Sequence, residues 1–187
     1  DYVFDGNSEF DYKENDSVNP INHYGTTKLE GEQEMLEIYP QAVCVRTASV
    51  YGSGKSGLVS GMIRALETQE EVRGVIDQIS SPTYSAHLVE AIWDVRDQSG
   101  IFHFVNKGYA SRLDLVEELK NYAEAKGKII KCQRIIGLPS ADFGRVAKRP
   151  VRSVLSTQKI EAFYKKPIPS WKAALREYFR EIGWVVE

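Results

Sequence analysis

Strand-like and helix-like segments alternate along the chain, and this order constrains the fold more than any other feature. Residues 42–46 are short, β-branched and continuously apolar, which is typical of a strand buried on both faces of a parallel sheet. Further strands are predicted at residues 2–4, 72–76, 100–105 and 128–136, and helices at 23–39, around Met62 to Leu66, at 88–95, 111–125, 156–164 and 171–182. Such alternation predicts an α/β fold with a mainly parallel sheet and right-handed crossovers.

The phosphate-binding glycine fingerprint of dinucleotide-binding folds, G-x-G-x-x-G, does not occur in the chain. The chain also opens directly on Asp1-Tyr2-Val3-Phe4, without Met. We therefore expect a fragment: the C-terminal part of a Rossmann-like, doubly wound parallel-sheet fold with a small α/β substrate-binding lobe. Residues 1–57 would be the remainder of the Rossmann-like domain, and residues 58–187 an interleaved substrate-binding lobe with the final sheet and helix elements.

Composition excludes several classes of protein. With 42% hydrophobic and 27% charged residues the chain is typical of a globular protein. Its net charge of −2 argues against nucleic-acid partners, and no run is apolar and long enough to cross a membrane, so we expect a cytoplasmic protein. Cys44 and Cys132 are expected to be free thiols, and the three histidines lack zinc-like spacing, so we predict no metal site.

The strongest chemical signal is the segment Tyr24-Gly25-Thr26-Thr27-Lys28 at the start of a predicted helix. Residues four apart share one helical face, so the phenol of Tyr24 and the ammonium of Lys28 can meet there. An ammonium beside a phenol favours the phenolate, which makes proton transfer practical at neutral pH. Y-x-x-x-K is common by chance, but this pair follows a polar loop, and ligands bind where such loops leave a parallel sheet.

Several further blocks occur in a recognisable order, and with them the chain resembles the extended short-chain dehydrogenase/reductases, specifically the dTDP-4-dehydrorhamnose reductases. The blocks are Asp1–Gly6, Asn19-Pro20, Tyr24-Gly25 with Lys28-Leu29 and Gly31-Glu32, Arg46-Thr47 with Val50-Tyr51-Gly52, Asp77-Gln78 with Ser81-Pro82-Thr83-Tyr84, and Arg149-Pro150 with Ser153-Val154-Leu155. The likeness covers nearly the whole chain.

The resemblance implies an NADPH-dependent (or NADH-dependent) reduction of the C4 keto group of a nucleotide-activated deoxysugar. It makes Tyr24 the proton donor and Lys28 the partner that activates the phenol and also holds the nicotinamide ribose. Thr47, Ala48 and Ser49, after the second strand, would contact the cofactor. The hydroxyl residue that completes the family's trio would stand one position ahead of Asp1, outside the chain. We expect the fragment by itself to be nearly inactive, because it lacks the amides that hold the pyrophosphate of the dinucleotide.

The same resemblance assigns Asp1, Tyr2, Ser49 and Arg149 to the nucleotide-sugar. Arg149, with Arg145, Lys148 and Arg152 near it, could hold phosphate, although a solvated basic loop explains these residues as well. The family's dehydratases carry an acidic pair where this chain has Asp1-Tyr2, so reduction fits better than dehydration.

Two departures from the family pattern leave the substrate and the function open. Ser49 stands where the family often has a tryptophan against the sugar, and His87 stands where an acidic residue is usual. An epimerase of the same family remains an alternative, as does a non-catalytic regulatory subunit with this fold. A homodimer is also possible.

Overall fold

The computed structural model describes residues 1–54 and 57–184, and these form five α-helices and six short β-strands. The sequence also predicts a glycine- and serine-rich loop at 52–57, and its residues Lys55 and Ser56 lie outside the described part, as do the last three residues. In chain order the elements are α1 (His23–Ile38), β1 (Val43–Arg46), β2 (Val50–Tyr51), α2 (Leu58–Thr68), β3 (Glu71–Val75), β4 (Thr83–Tyr84), α3 (Ser85–Val95), β5 (Gly100–His103), α4 (Arg112–Ala125), β6 (Arg134–Leu138) and α5 (Trp171–Glu181).

The strands pair only in parallel within the described residues. β1 pairs with β5, with Val43 opposite Gly100, while β2 pairs with β4 and β3 with β6. Parallel neighbours need a crossover connection, and helices supply it in this chain. The predicted α/β class with parallel strands is confirmed. The domain boundary near residue 57 stays a prediction.

In the described part of the chain, three clusters of apolar side chains form the core. The largest joins α2, α4 and α5 to the strands beside them, with Leu66, Leu119 and Phe179 completely buried. A second cluster packs α3 against β5, and a third surrounds Phe4, whose ring stacks on that of Tyr12 at 4.1 Å. Each buried apolar side chain stabilises the fold by about 1.5–3 kcal/mol relative to an exposed one.

Side-chain caps define where α1 and α4 begin. The Asn22 side chain accepts a 2.8 Å hydrogen bond from the Gly25 amide at the start of α1. Ser111 and Asp114 form a capping box at the start of α4. These bonds satisfy amides that have no partner inside the helix.

Several predicted elements are wrong in detail. Residues 2–4 form a turn, in which the Phe4 amide donates to the Asp1 carbonyl at 3.2 Å. The strand predicted at 128–136 begins only at Arg134, because the Lys131 and Cys132 amides bond to the Leu66 carbonyl at the end of α2. The helix predicted at 156–164 is one 3-10 turn, Ile160–Ala162.

The burial of β1 and the start of α3 also differ from the predictions. Val43, Cys44 and Val45 of β1 are half-buried, whereas the sequence predicted a strand covered on both faces. The helix predicted at 88–95 starts earlier, at Ser85. Among the described residues, no helix combines the length and the apolar character needed to cross a bilayer.

Candidate active site

Tyr24 and Lys28 lie together near the start of α1. The Lys28 Nζ is 5.4 Å from the centroid of the Tyr24 ring, so the phenol and the ammonium meet on one helical face as predicted. Both side chains are exposed, Tyr24 to 58%. Neither lines the small cavity or the larger groove described below. The pair is therefore accessible from solvent.

Gly25 brings this pair next to the turn at residues 1–4. A Cβ atom at Gly25 would lie 2.2 Å from the Tyr2 carbonyl oxygen, far inside van der Waals contact. Only glycine permits so close an approach of the helix to the backbone. As a result the Tyr24 ring meets the Tyr2 ring edge to face, with centroids 5.4 Å apart.

A small cavity brings together Asp1, Tyr2, Ser49 and Arg149, all four predicted substrate residues. Its volume is about 20 Å³, which is enough for about one water molecule but not for a sugar. The Asp1 carboxylate accepts a 2.7 Å hydrogen bond from the Ser153 hydroxyl. A sugar would have to widen this cavity or lie at its mouth, beside Tyr2 and Tyr24.

The residues after β1 border the same place. The Thr47 hydroxyl is buried and has no hydrogen-bond partner among the described residues, while Ala48 packs into the core cluster of Phe4. Ser49 has a positive φ of 46°, and its hydroxyl lies 2.6 Å from that of Ser80. A non-glycine residue in this conformation is strained, as happens most often at functional sites. The cofactor role of these three residues stays a prediction.

A larger groove of about 520 Å³ adjoins the small cavity, because Gln78 and Arg149 line both. Arg145 and Lys148 contribute two more cationic side chains to its wall. The Asn22 side-chain amide donates to the Lys148 carbonyl at 2.8 Å, which attaches this basic segment to the start of α1. This hydrogen bond therefore helps to position the groove next to the helix that carries Tyr24.

Arg152, a member of the predicted basic cluster, is occupied elsewhere. Its guanidinium pairs with the Asp11 carboxylate at 2.6 Å and donates to the Phe10 carbonyl at 2.8 Å. Arg149 and Arg145 are therefore better placed than Arg152 to meet an anion.

Arg112 also lines the small cavity, and the sequence reasoning missed it. Burial lowers the pKa of its guanidinium, as do the charges of Arg149 and Arg145. A signal was available in the sequence, since Arg112 follows the cap residue Ser111. The first turn of a helix favours acidic side chains, so an arginine there is unusual.

His87, the other departure from the family pattern, has a structural contact. The Asn106 Nδ2 donates to the His87 Nδ1 at 3.0 Å, so the proton lies on Nε2, which donates to the Glu177 carboxylate at 2.9 Å. The histidine is buried and connects α3 to α5. It is not part of the cavity lining.

A profile described as the RmlD substrate binding domain matches residues 1–183. The chain belongs to this family. Spore coat polysaccharide biosynthesis protein SpsK of Bacillus subtilis is 34% identical to this RmlD-family chain over 182 residues, covering 97% of the chain and 62% of SpsK. The dTDP-4-dehydrorhamnose reductase of Mycolicibacterium smegmatis is 37% identical over 182 residues, covering 95% of the chain and 54% of that enzyme.

Solved structures agree with this membership. The dTDP-4-dehydrorhamnose reductase of Bacillus anthracis in complex with NADP has a TM-score of 0.88 and 32% identity, covering 96% of the chain and 63% of that protein. The UDP-glucuronic acid 4-epimerase of Bacillus cereus has a TM-score of 0.70 at 18% identity, covering 97% of the chain and 59% of the epimerase, and shows only a shared fold. The RmlD-family chain spans less than two thirds of the length of these relatives.

Proposed function

We propose that the protein reduces the C4 keto group of a nucleotide-activated deoxysugar, with NADPH as the hydride donor. The observation that carries the proposal is the Tyr24–Lys28 pair on an exposed helix face. The Tyr24 ring contacts the Tyr2 ring, and Tyr2 lines the small cavity together with Asp1, Ser49 and Arg149. Family relatives support the reaction type: besides the reductases above, a probable dTDP-4,6-dihydroxy-2-methyloxan-3-one 4-ketoreductase of Streptomyces antibioticus is 34% identical over 185 residues.

In this reaction the Tyr24 phenol donates a proton to the oxygen that develops negative charge as the ketone is reduced. Lys28 favours the phenolate left behind and so assists the transfer. NADPH, when bound, supplies hydride to the carbonyl carbon. The proton acceptor must lie within hydrogen-bonding reach of the Tyr24 hydroxyl, at the mouth of the small cavity.

The residues present fit a nicotinamide cofactor. The Lys28 ammonium is exposed on α1, and the buried Thr47 hydroxyl has no partner in the described part of the chain. Both could donate hydrogen bonds to the ribose or the carboxamide. Ala48 and Ser49 would contribute backbone contacts in the same loop.

The substrate's sugar would lie against Asp1 and Tyr2, and Arg149 would meet its phosphate. Ser49, with a short side chain, would leave room beside the sugar in place of a stacking ring. We place the reaction in the cytoplasm, with a homodimer as the expected assembly. An epimerase with the same fold would consume no net NADPH, and a non-catalytic subunit with this fold would catalyse no reaction.

Replacing Tyr24 by Phe tests the proposal. Because the variant keeps the ring but removes the proton donor, we expect kcat of the full-length enzyme for NADPH oxidation with a dTDP-4-keto-6-deoxysugar to fall by roughly 10²–10⁴-fold. Tyr39→Phe is the matched control, since Tyr39 is 62% exposed just after the same helix. Its rate should equal that of the wild type.

Three results would contradict the proposal. Wild-type turnover in Tyr24→Phe would remove the assigned acid. Conversion of the sugar without net NADPH consumption would indicate an epimerase. Stoichiometric association with a partner enzyme, with no activity on any keto-sugar, would indicate a regulatory subunit.

A further inference from the structure

Arg112 occupies an electrostatically unfavourable position. It is the first residue of α4, where the aligned peptide dipoles already place partial positive charge. Its half-buried guanidinium lines the small cavity together with Arg149. Burial lowers the pKa of this guanidinium, and the charges of Arg149 and Arg145 lower it further. Two cations thus share a place that is partly removed from water, and the exposed Arg145 adds a third in the adjoining groove.

Arg46, another buried arginine, has a carboxylate partner. Arg46 is held by two hydrogen bonds to the Glu32 carboxylate, at 2.7 and 2.5 Å. Within residues 1–54 and 57–184, neither Arg112 nor Arg149 has a carboxylate within ion-pair distance. The carboxylate that lines their cavity, that of Asp1, accepts from the Ser153 hydroxyl instead.

A partly buried cation without a counter-ion costs free energy, which a bound anion would recover. Guanidinium groups bind phosphate oxygens through two parallel hydrogen bonds, so two arginines suit an anion with two charged phosphates. Arg149 borders both the small cavity and the 520 Å³ groove. A diphosphate, which joins a sugar to a nucleoside, belongs where those two spaces meet.

We propose that Arg112 is a substrate-binding residue which, together with Arg149, binds the diphosphate of the nucleotide-sugar. The sugar then lies on the Asp1 and Tyr2 side and the nucleoside in the basic groove. This assignment rests on the proposed function for the identity of the ligand, but not for the presence of an anion site.

Calorimetric titration of the purified protein with dTDP, UDP and the two free nucleosides tests this site. Arg112→Gln should weaken binding of the nucleoside diphosphate at least tenfold and leave nucleoside affinity unchanged, and Arg112→Lys should restore part of the loss. Arg64→Gln, which removes an exposed arginine from α2, is the matched control and should bind like the wild type.

Thermal unfolding without ligand separates a binding role from a structural one. Removing one of three neighbouring cations should leave the melting temperature of Arg112→Gln equal to or above that of the wild type. The assignment is overturned if Arg112→Gln binds the diphosphates normally, if neither diphosphate binds the wild type, or if the variant melts at a lower temperature.

These titrations involve no turnover, so they test the diphosphate site independently of the reductase proposal. Arg112-dependent diphosphate binding without NADPH oxidation would reject the reductase and keep the site. Keto-sugar reduction with unchanged kcat/KM in Arg112→Gln would keep the reductase and reject the site.

Discussion

At the scale of single residues, a buried polar cluster supports the candidate site from below. Arg46, at the end of β1, is paired with Glu32 of α1, and its Nη1 lies 3.4 Å from the His103 Nε2. The His103 Nδ1 donates to the Tyr12 carbonyl at 3.1 Å, so Nε2 is the unprotonated nitrogen that accepts from Arg46. Together these bonds connect α1, β1 and β5 just beneath the turn that carries Tyr2.

The His103 ring makes the stability of the protein depend on pH. Burial and the charge of Arg46 lower the pKa of His103 to about 3. In the unfolded chain the ring regains a pKa near 6.5 and binds a proton that the folded state does not. The contribution of His103 to stability is therefore fully present above the pKa of the unfolded state. It is lost as the pH falls from there towards the pKa of the folded state.

Between pH ~7 and pH ~5 we expect His103 to reduce the free energy of unfolding by about 2 kcal/mol. Carboxylates with lowered pKa values, such as Glu71 and Glu181, begin to contribute only in more acidic solution. Urea denaturation at both pH values measures the effect. His103→Gln should remove most of this slope, while the exposed His23→Gln should retain it; equal slopes in the two variants would contradict the account.

At the scale of elements, α1 contains a matched pair of glycines in different surroundings. A Cβ at Gly25 would collide with the Tyr2 carbonyl at 2.2 Å, whereas a Cβ at Gly31 meets nothing within 4 Å. Both residues lie within the same helix, so intrinsic helix propensity affects them similarly. Any difference between substitutions at the two sites reports the contact with the turn.

Gly31→Ala should raise the free energy of unfolding by up to about 1 kcal/mol, because alanine is the better helix former. Gly25→Ala should lower it by roughly 1–3 kcal/mol, since the helix has to move off the turn. Urea denaturation and kcat should be measured for both. Gly25→Ala is also expected to lose activity as Tyr24 moves away from Tyr2; a Gly25→Ala protein as stable and active as Gly31→Ala would refute the positioning role.

At the scale of the whole molecule, stability depends on a core that the active-site segment does not share. The largest cluster joins α2, α4 and α5, and the Phe179 ring within it packs against Tyr122 and Trp184 at centroid distances of 4.9 Å. Phe4 and Tyr12 belong to a separate cluster under the turn at residues 1–4.

Phe179→Ala should lower the free energy of unfolding by about 3–5 kcal/mol, because it leaves a cavity in the largest cluster. Phe10 is 79% exposed, so Phe10→Ala is the control for loss of a phenyl ring and should change stability by less than about 0.5 kcal/mol. Chemical denaturation of both variants measures the contrast. Similar midpoints would show that this cluster does not limit global stability.

Local patterns determined a good part of this protein. The pattern of apolar and polar residues identified α1 and α4, and the Tyr24–Lys28 spacing follows from helix geometry alone, so these predictions needed no tertiary contacts. The apolar run at 128–136 gave a strand that starts too early, because the Lys131 and Cys132 amides bond to the end of α2 and not to a strand.

Only the tertiary structure decided which distant side chains share a site. Asp1, Ser49, Arg112 and Arg149 meet in one cavity although long stretches of chain separate them. Likewise, Arg152 looked equivalent to Arg149 in the sequence until its pairing with Asp11 was visible. A residue's own neighbours in the chain set its local conformation, but its partners and its burial depend on how the elements pack, which no local pattern records.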